Sequence, residues 1–372
     1  PDTYTFFLRF GTTLLAPHGK LAFITPNTYL MGTNTNALRQ TLLETGCIEH
    51  IVDLPQGIWE DANVDCVLFF LAAEPDAQKR RAHQVTVNIL GLKDTLDRLV
   101  VREWMETLTH SQARWMDDLS HEMDIRYDDL RRNIETVCTK KVNGERKIVR
   151  LGDITESTQG IIPYETRAEG LANPYIKQQR EIPPDPSWKP LLDGKSFLGR
   201  YELRWHHTHP HIQYGDWLMR PREERFFTEP KILVQAMRNR GLQRRLVATY
   251  DDQKFYNRHN FNNIIASDPD YSLKYILALF NSSLLNYYAR RFDNVNINPS
   301  YFRQLPIFPA TREQQDGIIA LVDQILAKHA GLNAKRAQGY TIRRRRDGTI
   351  DIVVPYDVLL KQLQSKQSTF ST

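Results

Sequence analysis

Helix and strand patterns alternate through the first 71 residues, and that alternation confines the amino-terminal part of the chain to an open α/β sheet. Tyr4, Phe7, Leu8, Gly11, Leu14 and Leu15 recur at helical spacing, and Pro17-His18-Gly19 cannot continue the run. Leu21 to Ile24 is a short apolar run closed by Pro26-Asn27, which predicts a buried strand ending in a loop. A second helix is predicted from about Thr35 to Glu44, with Leu38, Leu42 and Leu43 on one face and Gly46 as its stop. Two more strands, Ile48 to Leu54 and Val64 to Leu71, follow across a loop.

At 372 residues the chain is long enough for two domains, each with its own core. Arg98 to Asn133 has helical character and many charges, and Cys138 to Arg150 is basic and polar, so a boundary is expected there. The expected segments are an α/β sheet at 1–95, a helical connector at 96–148, a mixed α/β domain at 149–310, and a C-terminal helix with a basic tail at 311–372. Leu151 to Ile162 opens a region of short strands, to which Ile232 to Gln235 and Leu246 to Thr249 belong. Leu273, Ile276, Leu277, Phe280, Leu284, Leu285 and Tyr288 predict one further helix, and Ile318, Leu321, Val322, Ile325 and Leu326 another. Cys47, Cys66 and Cys138 lack CxxC spacing, which argues against a disulfide framework or a cysteine zinc site. No apolar stretch approaches the ~20 residues that cross a bilayer, and no signal-peptide pattern opens the sequence. A cytoplasmic protein without a membrane partner is expected.

Gly19-Lys20-Leu21-Ala22-Phe23-Ile24-Thr25-Pro26-Asn27 resembles the strand and turn that follow the catalytic loop in TaqI-like (type IIG, Eco57I-like) adenine-N6 DNA methyltransferases. Ile51-Val52-Asp53-Leu54 and Val64-Asp65-Cys66-Val67-Leu68-Phe69-Phe70-Leu71 follow at the distance of that family's last strand pair. Leu151-Gly152-Asp153-Ile154, Gln159-Gly160-Ile161, Pro230-Lys231-Ile232-Leu233-Val234, Leu279-Phe280-Asn281-Ser282-Ser283-Leu284 and Leu305-Pro306-Ile307 resemble the family's C-terminal specificity domain. The resemblance implies a partial Rossmann-like methyltransferase sheet, a helical connector and a mixed α/β target-recognition domain with C-terminal helices. It further implies a restriction-modification system whose intact enzyme uses S-adenosylmethionine.

In that family a Gly-rich turn holds the methyl donor and an Asn-Pro-Pro-Tyr loop orients the target amine; neither occurs in this sequence. Asn173-Pro174-Tyr175 and Asn298-Pro299-Ser300 lack the second proline and lie outside the sheet segment. No catalytic residue and no cofactor is therefore expected for this chain alone. Its expected partners are double-stranded DNA and a missing N-terminal methylase half, on the same polypeptide or as a separate subunit. The resemblance also puts Trp59 where the family holds an aromatic ring against the extruded adenine, and Pro26 and Asn27 would line the same cleft.

The net charge is only +5, but the cations are clumped and interleaved with Tyr, Phe and Trp, which suits a polyanion. Between two predicted strands, Arg238, Asn239, Arg240, Gln243, Arg244 and Arg245 form a hairpin tip rich in side chains that pair with base edges. Arg220 and Arg222, and the run Tyr256-Asn257-Arg258-His259, are further candidates. Arg343 to Arg346 suits phosphate or plain solvent.

Two rival chemistries draw on other residues. Asp185, Glu229 and Lys231 imitate the carboxylate-and-lysine set of a magnesium-dependent nuclease. His206, His207, His209 and His211 form a dense cluster, but no carboxylate or cysteine completes a zinc set, and no metal site is expected. A separate non-catalytic specificity subunit is the alternative to a truncated methyltransferase, and an endonuclease is a third reading.

Overall fold

The structure is a computed structural model that describes residues 2–60, 64–163, 176–177, 185–194, 197–204, 210–238, 242, 244–291, 296–338, 340–344 and 350–353. It divides into two units, Pro1–Asn133 with Arg291–Asn294, and Ile134–Arg290 with Val295–Thr372.

The first unit runs α1 (Thr3–Thr13), β1 (Lys20–Pro26), α2 (Asn36–Thr45), β2 (Gly46–Asp53), β3 (Cys66–Ala73), α3 (Ala77–Ala82), β4 (Gln84–Ile89), α4 (Asp97–Val101), β5 (Glu106–Ser111) and α5 (Gln112–Asp117). Its strands make one sheet in the order β1-β3-β2-β4-β5, in which β2 and β4 run parallel and the other neighbours antiparallel. Strand alternation sorts β3 between two faces. Val67, Phe69 and Leu71 join Leu42, Leu43, Ile48 and Ile51 in the main core, while Cys66 packs with Val52, Leu54 and Leu90 on the other side. Gly46 lets α2 pass directly into β2, because a Cβ there would lie 2.1 Å from the Ala72 carbonyl oxygen. The buried Gln112 amide closes the start of β2: Nε2 donates to Gly46 O and Oε1 accepts from Ile48 N–H, each at 2.9 Å, beside a register shift between Ile48 and His50.

The expected helical connector at 96–148 is corrected by this sheet. Leu108 and His110 point inward at alternate positions and β5 pairs with β4, so strand pairing overrides the charged, helix-like composition. The division into units falls inside α6 (Asp129–Val137), and the remainder of the connector is a two-stranded hairpin, β6 (Thr139–Val142) and β7 (Glu145–Ile148).

The second unit continues with α7 (Leu151–Ile154), β8 (Thr155–Gln159), β9 (Ile176–Lys177), β10 (Trp188–Leu192), β11 (Leu198–Gly199), β12 (Glu202–Leu203), β13 (His211–Gln213), α8 (Arg225–Thr228), β14 (Lys231–Gln235), β15 (Ala248–Asp251), β16 (Tyr256–Asn257) and β17 (Phe261–Ala266). It ends in α9 (Leu273–Asn281), α10 (Ser283–Tyr288), α11 (Pro299–Arg303), α12 (Arg312–Ala337) and the hairpin β18 (Thr341–Arg344) and β19 (Ile350–Val353). Two four-stranded sheets, β16-β10-β13-β9 and β15-β14-β17-β8, carry the unit, so the fold is mixed α/β. The single helix expected across Leu273 to Tyr288 breaks at Ser282, which is extended (φ −69°, ψ 155°) and caps α10 by accepting from Leu285 N–H. Helix α12 packs on α9 and β12 within the second unit, so residue 311 marks no boundary.

Candidate nucleic-acid interface

In the first unit the candidate cleft residues meet at the end of β1. Pro26 is the cross-strand partner of Cys66, Asn27 N–H donates to Asp65 O at 2.9 Å, and Trp59 Nε1 donates to Cys66 Sγ at 3.4 Å. Trp59 thus bonds the cross-strand partner of Pro26 and is 46% exposed. Burial raises the Cys66 thiol above its usual range, and the indole hydrogen bond opposes that shift. Buried Asn27 Nδ2 has no hydrogen-bond partner among the described residues, which leaves polar capacity at the strand end. Arg39 fixes the turn behind it, donating to Tyr29 O and Gly32 O at 2.7 Å each.

In the second unit candidates from two sequence-distant segments, Arg220 with Arg222, and Arg258, converge on Gly160 to Ile162. Ile161 bridges Arg258, Ile162 bridges Arg220, and Arg222 Nε approaches Gly160 O at 3.5 Å. Gly160 is required there, since a Cβ would sit 2.3 Å from both Arg258 O and Asn257 Nδ2. Arg222 has a left-handed backbone (φ 70°), a strained state for a non-glycine residue. Burial and then Arg220 depress its pKa. Arg220 and Arg222 have no carboxylate partner among the described residues. Arg258 instead donates to Asp193 at 2.8 and 3.1 Å, and burial raises that carboxyl's pKa against the arginine's pull. Burial, followed by Arg258, lowers the pKa of the neighbouring His259.

The strands that flank the 238–245 segment, β14 and β15, are antiparallel partners, but its described arginines bond acceptors of this chain. Arg238 donates to Arg244 O at 2.9 Å and Gln235 Oε1 at 2.6 Å, and Arg244 donates to Asn281 O at 3.3 Å. Arg245 is 1% exposed and donates to Arg238 O, so its guanidinium is held inside the loop. Asn239, Arg240 and Gln243 lie outside the described residues.

The rival sets do not assemble. Lys231 is buried against Asp251 and cannot position water, while Glu229 ends α8 and Asp185 caps the Ser187 N–H. Of the histidines only His211 is described, and no metal-binding group of three or more ligands occurs among the described residues. Asn298 precedes the first turn of α11 with Pro299 at its start, while Asn173-Pro174-Tyr175 is outside the described residues. Sequence reading missed Asp193, whose pairing with Arg258 spans 65 residues, and the exposed Trp217, whose indole Nε1 donates to Gln213 O at 3.2 Å.

Arg220, Arg222 and Arg258, and the residues at the end of β1, lie in segments that match known families. Residues 189–307 match the TaqI-like C-terminal specificity domain. Residues 1–59 match the Eco57I restriction-modification methylase. Both kinds of segment named from sequence motifs are therefore similar to a known family. A Methanocaldococcus jannaschii protein described as a type II restriction enzyme and methyltransferase is 22% identical over 296 residues, covering 77% of this chain and 22% of its own length. A nuclease-deletion mutant of the Type ISP restriction-modification enzyme LlaGI, in complex with a DNA substrate mimic, shares the fold with a TM-score of 0.52. That match is 13% identical and covers 88% of this chain and 31% of the other. The Type IIL restriction-modification enzyme MmeI in complex with DNA is similar with a TM-score of 0.49, at 11% identity over 88% of this chain and 44% of the other. The chain spans less than half the length of each.

Helices long and apolar enough to cross a membrane are absent among the described residues. Among the described glycines of the first unit only Gly57 (φ 72°) has open space at a Cβ position, so they line no shared cradle for S-adenosylmethionine. Gly32 and Gly46 already face backbone oxygens of this chain, of Thr28 at 2.7 Å and Ala72 at 2.1 Å from a Cβ position.

Proposed function

We propose that this chain is the DNA-reading part of a site-specific adenine-N6 DNA methyltransferase of a restriction-modification system. The observation that carries the reading is the pair Arg220 and Arg222, two adjacent cations without a carboxylate partner in a segment similar to a specificity domain. Unpaired guanidinium groups suit phosphate and the guanine edge alike, and Arg258, kept in place by Asp193, stands on the same junction. Trp59 would stack on the extruded adenine, with Pro26 and Asn27 along the cleft and Asn27 Nδ2 free to donate.

Methyl transfer would need S-adenosylmethionine, which supplies the methyl group; this chain's residues do not fit it, and no step is assigned to them through it. The chain alone would bind duplex DNA and methylate nothing. A partner, the methylase half, is supported by uncovered surfaces. Phe6, Phe7 and Phe10 are each about 60% exposed on α1, and β1 is a sheet edge with Ala22 and Ile24 exposed. Whether that half is covalently continuous or a separate subunit, these surfaces would be the same.

Binding of a labelled duplex, followed by anisotropy across a salt series, tests the reading. Arg220→Ala and Arg222→Ala are each expected to weaken binding and to lower the slope of log K against log salt by about 0.9. Unchanged affinity and slope in both variants would overturn it.

A further inference from the structure

Lys231 opens β14, Asp251 closes β15, and the two are direct cross-strand partners. Both side chains are 0% exposed, with Nζ 2.6 Å from Oδ2. Desolvation offsets most of the attraction between two buried charges, so an apolar pair of similar volume would hold this core as well or better. Burial in fact pushes the lysine's pKa down and the aspartate's up, each toward its neutral form.

The bonds that radiate from the pair account for its presence. Lys231 Nζ also donates to Phe227 O at 2.8 Å, in α8, five residues beyond Arg222. Asp251 accepts from Gln253 N–H at 2.8 Å and from Phe255 N–H at 3.1 Å. Those two bonds turn the chain through Lys254, which has a left-handed backbone (φ 63°), into β16 and on to Arg258. The same two segments meet again where Phe227 stacks on Tyr256 (5.0 Å, 14°) and Tyr256 Oη donates to Glu224 Oε1 at 2.6 Å. One buried pair therefore ties the segment that follows Arg220 and Arg222 to the segment that leads into Arg258.

We propose that Lys231 and Asp251 are positioning residues for DNA recognition, setting the placement of Arg220 and Arg222 relative to Arg258 and so which base sequence the three can read. The proposal rests on the DNA-reading function argued above. Base-edge contacts need their donors placed within about 0.5 Å, whereas attraction to phosphate tolerates more. Losing the pair should therefore remove discrimination and spare general affinity.

The test uses the full 372-residue chain, a duplex that this chain selects from a random pool, and a scrambled duplex of equal length. The double variant K231M/D251L is expected to keep the wild-type unfolding midpoint within a few degrees, the affinity for the scrambled duplex and the salt slope. It should lose at least tenfold of the preference for the selected duplex. Retained preference in the folded double variant overturns the proposal, and so does an equal loss of affinity for both duplexes. Should the double variant not fold, Asp251→Asn decides in its place. That change keeps one oxygen, which can accept from one of the two N–H groups, and removes the charge facing Lys231; a tenfold loss of preference supports the positioning role, and full preference overturns it. A wild-type chain that selects no duplex would remove the DNA-reading function, and this proposal with it.

Discussion

Asn281 closes an edge strand with one side chain. Its Nδ2 donates to Ala248 O at 2.9 Å and its Oδ1 accepts from Ala248 N–H at 3.2 Å, so the amide does for β15 what a further strand would do. Asn286 extends the pattern by accepting from Leu246 N–H at 2.7 Å. An unsatisfied buried polar group costs about 1–3 kcal/mol, so Asn281→Ala, which strands two of them, is expected to cost about 3 kcal/mol in urea unfolding. The exposed Leu284→Ser should change stability by less than about 0.5 kcal/mol. A loss below about 1 kcal/mol for Asn281→Ala would mean that water reaches Ala248. The Leu279 to Leu284 motif was legible as a family resemblance, but its physical role was not, because the partner of Asn281 lies 33 residues away. Trp59 makes a second claim at this scale. In an enzyme completed by its methylase half, Trp59→Ala is expected to slow methyl incorporation at least tenfold, since base stacking on an aromatic ring is worth about 1–3 kcal/mol. Trp59→Phe should stay within a few-fold, and equal rates for all three would exclude a stacking role.

Among the elements, β1, β2 and β3 lie within two residues of their expected ends, because each is an apolar run bounded by turn residues. By contrast β5 was not legible: Glu106-Thr107-Leu108-Thr109 is polar at three of its four positions, and its strand character comes from pairing with β4, which only the folded sheet supplies. That strand also carries a pH-sensitive group. His110 is buried with Nε2 3.0 Å from Ile125 O, and burial is the main cause holding its pKa below 6.5. Between its folded value and 6.5 the unfolded chain binds more protons, so stability is full above pH 6.5 and is lost as pH falls below it. The unfolding midpoint of the wild type is expected to drop between pH 7.5 and 5.5 more steeply than that of His110→Gln, which keeps a donor for Ile125 O. Parallel curves would assign the acid sensitivity elsewhere. Helix α1 shows the opposite kind of surface, with Phe6, Phe7 and Phe10 outward and Leu8 and Thr12 inward. Phe6→Ser with Phe10→Ser is expected to reduce concentration-dependent self-association in sedimentation while lowering stability little, because neither ring is in the core. A large fall in midpoint would show that the rings pack within the unit.

For the whole molecule, 49 basic residues against 44 acidic ones leave a net charge too small to draw DNA by itself, so the placement of cations decides. Many described arginines are already committed to acids: Arg81 to Asp117, Arg225 to Glu156 and Glu223, Arg336 to Glu202. Sequence clumping could not separate these from Arg220 and Arg222, since the acids that neutralise a cation come from distant parts of the chain. Nor could it show that Arg245, in the basic segment 238–245, is enclosed by its own loop. The salt dependence of DNA binding distinguishes the two kinds of arginine. Each released phosphate counterion contributes a slope of about 0.9, so Arg220→Ala should flatten the slope without moving the unfolding midpoint. Arg245→Ala should do the reverse, lowering the midpoint through the lost bond to Arg238 O while the slope of the folded fraction stays at the wild-type value. If Arg245→Ala flattened the slope as much as Arg220→Ala, the loop between β14 and β15 would have to open on DNA, and the interface would extend from the arginine junction to that loop.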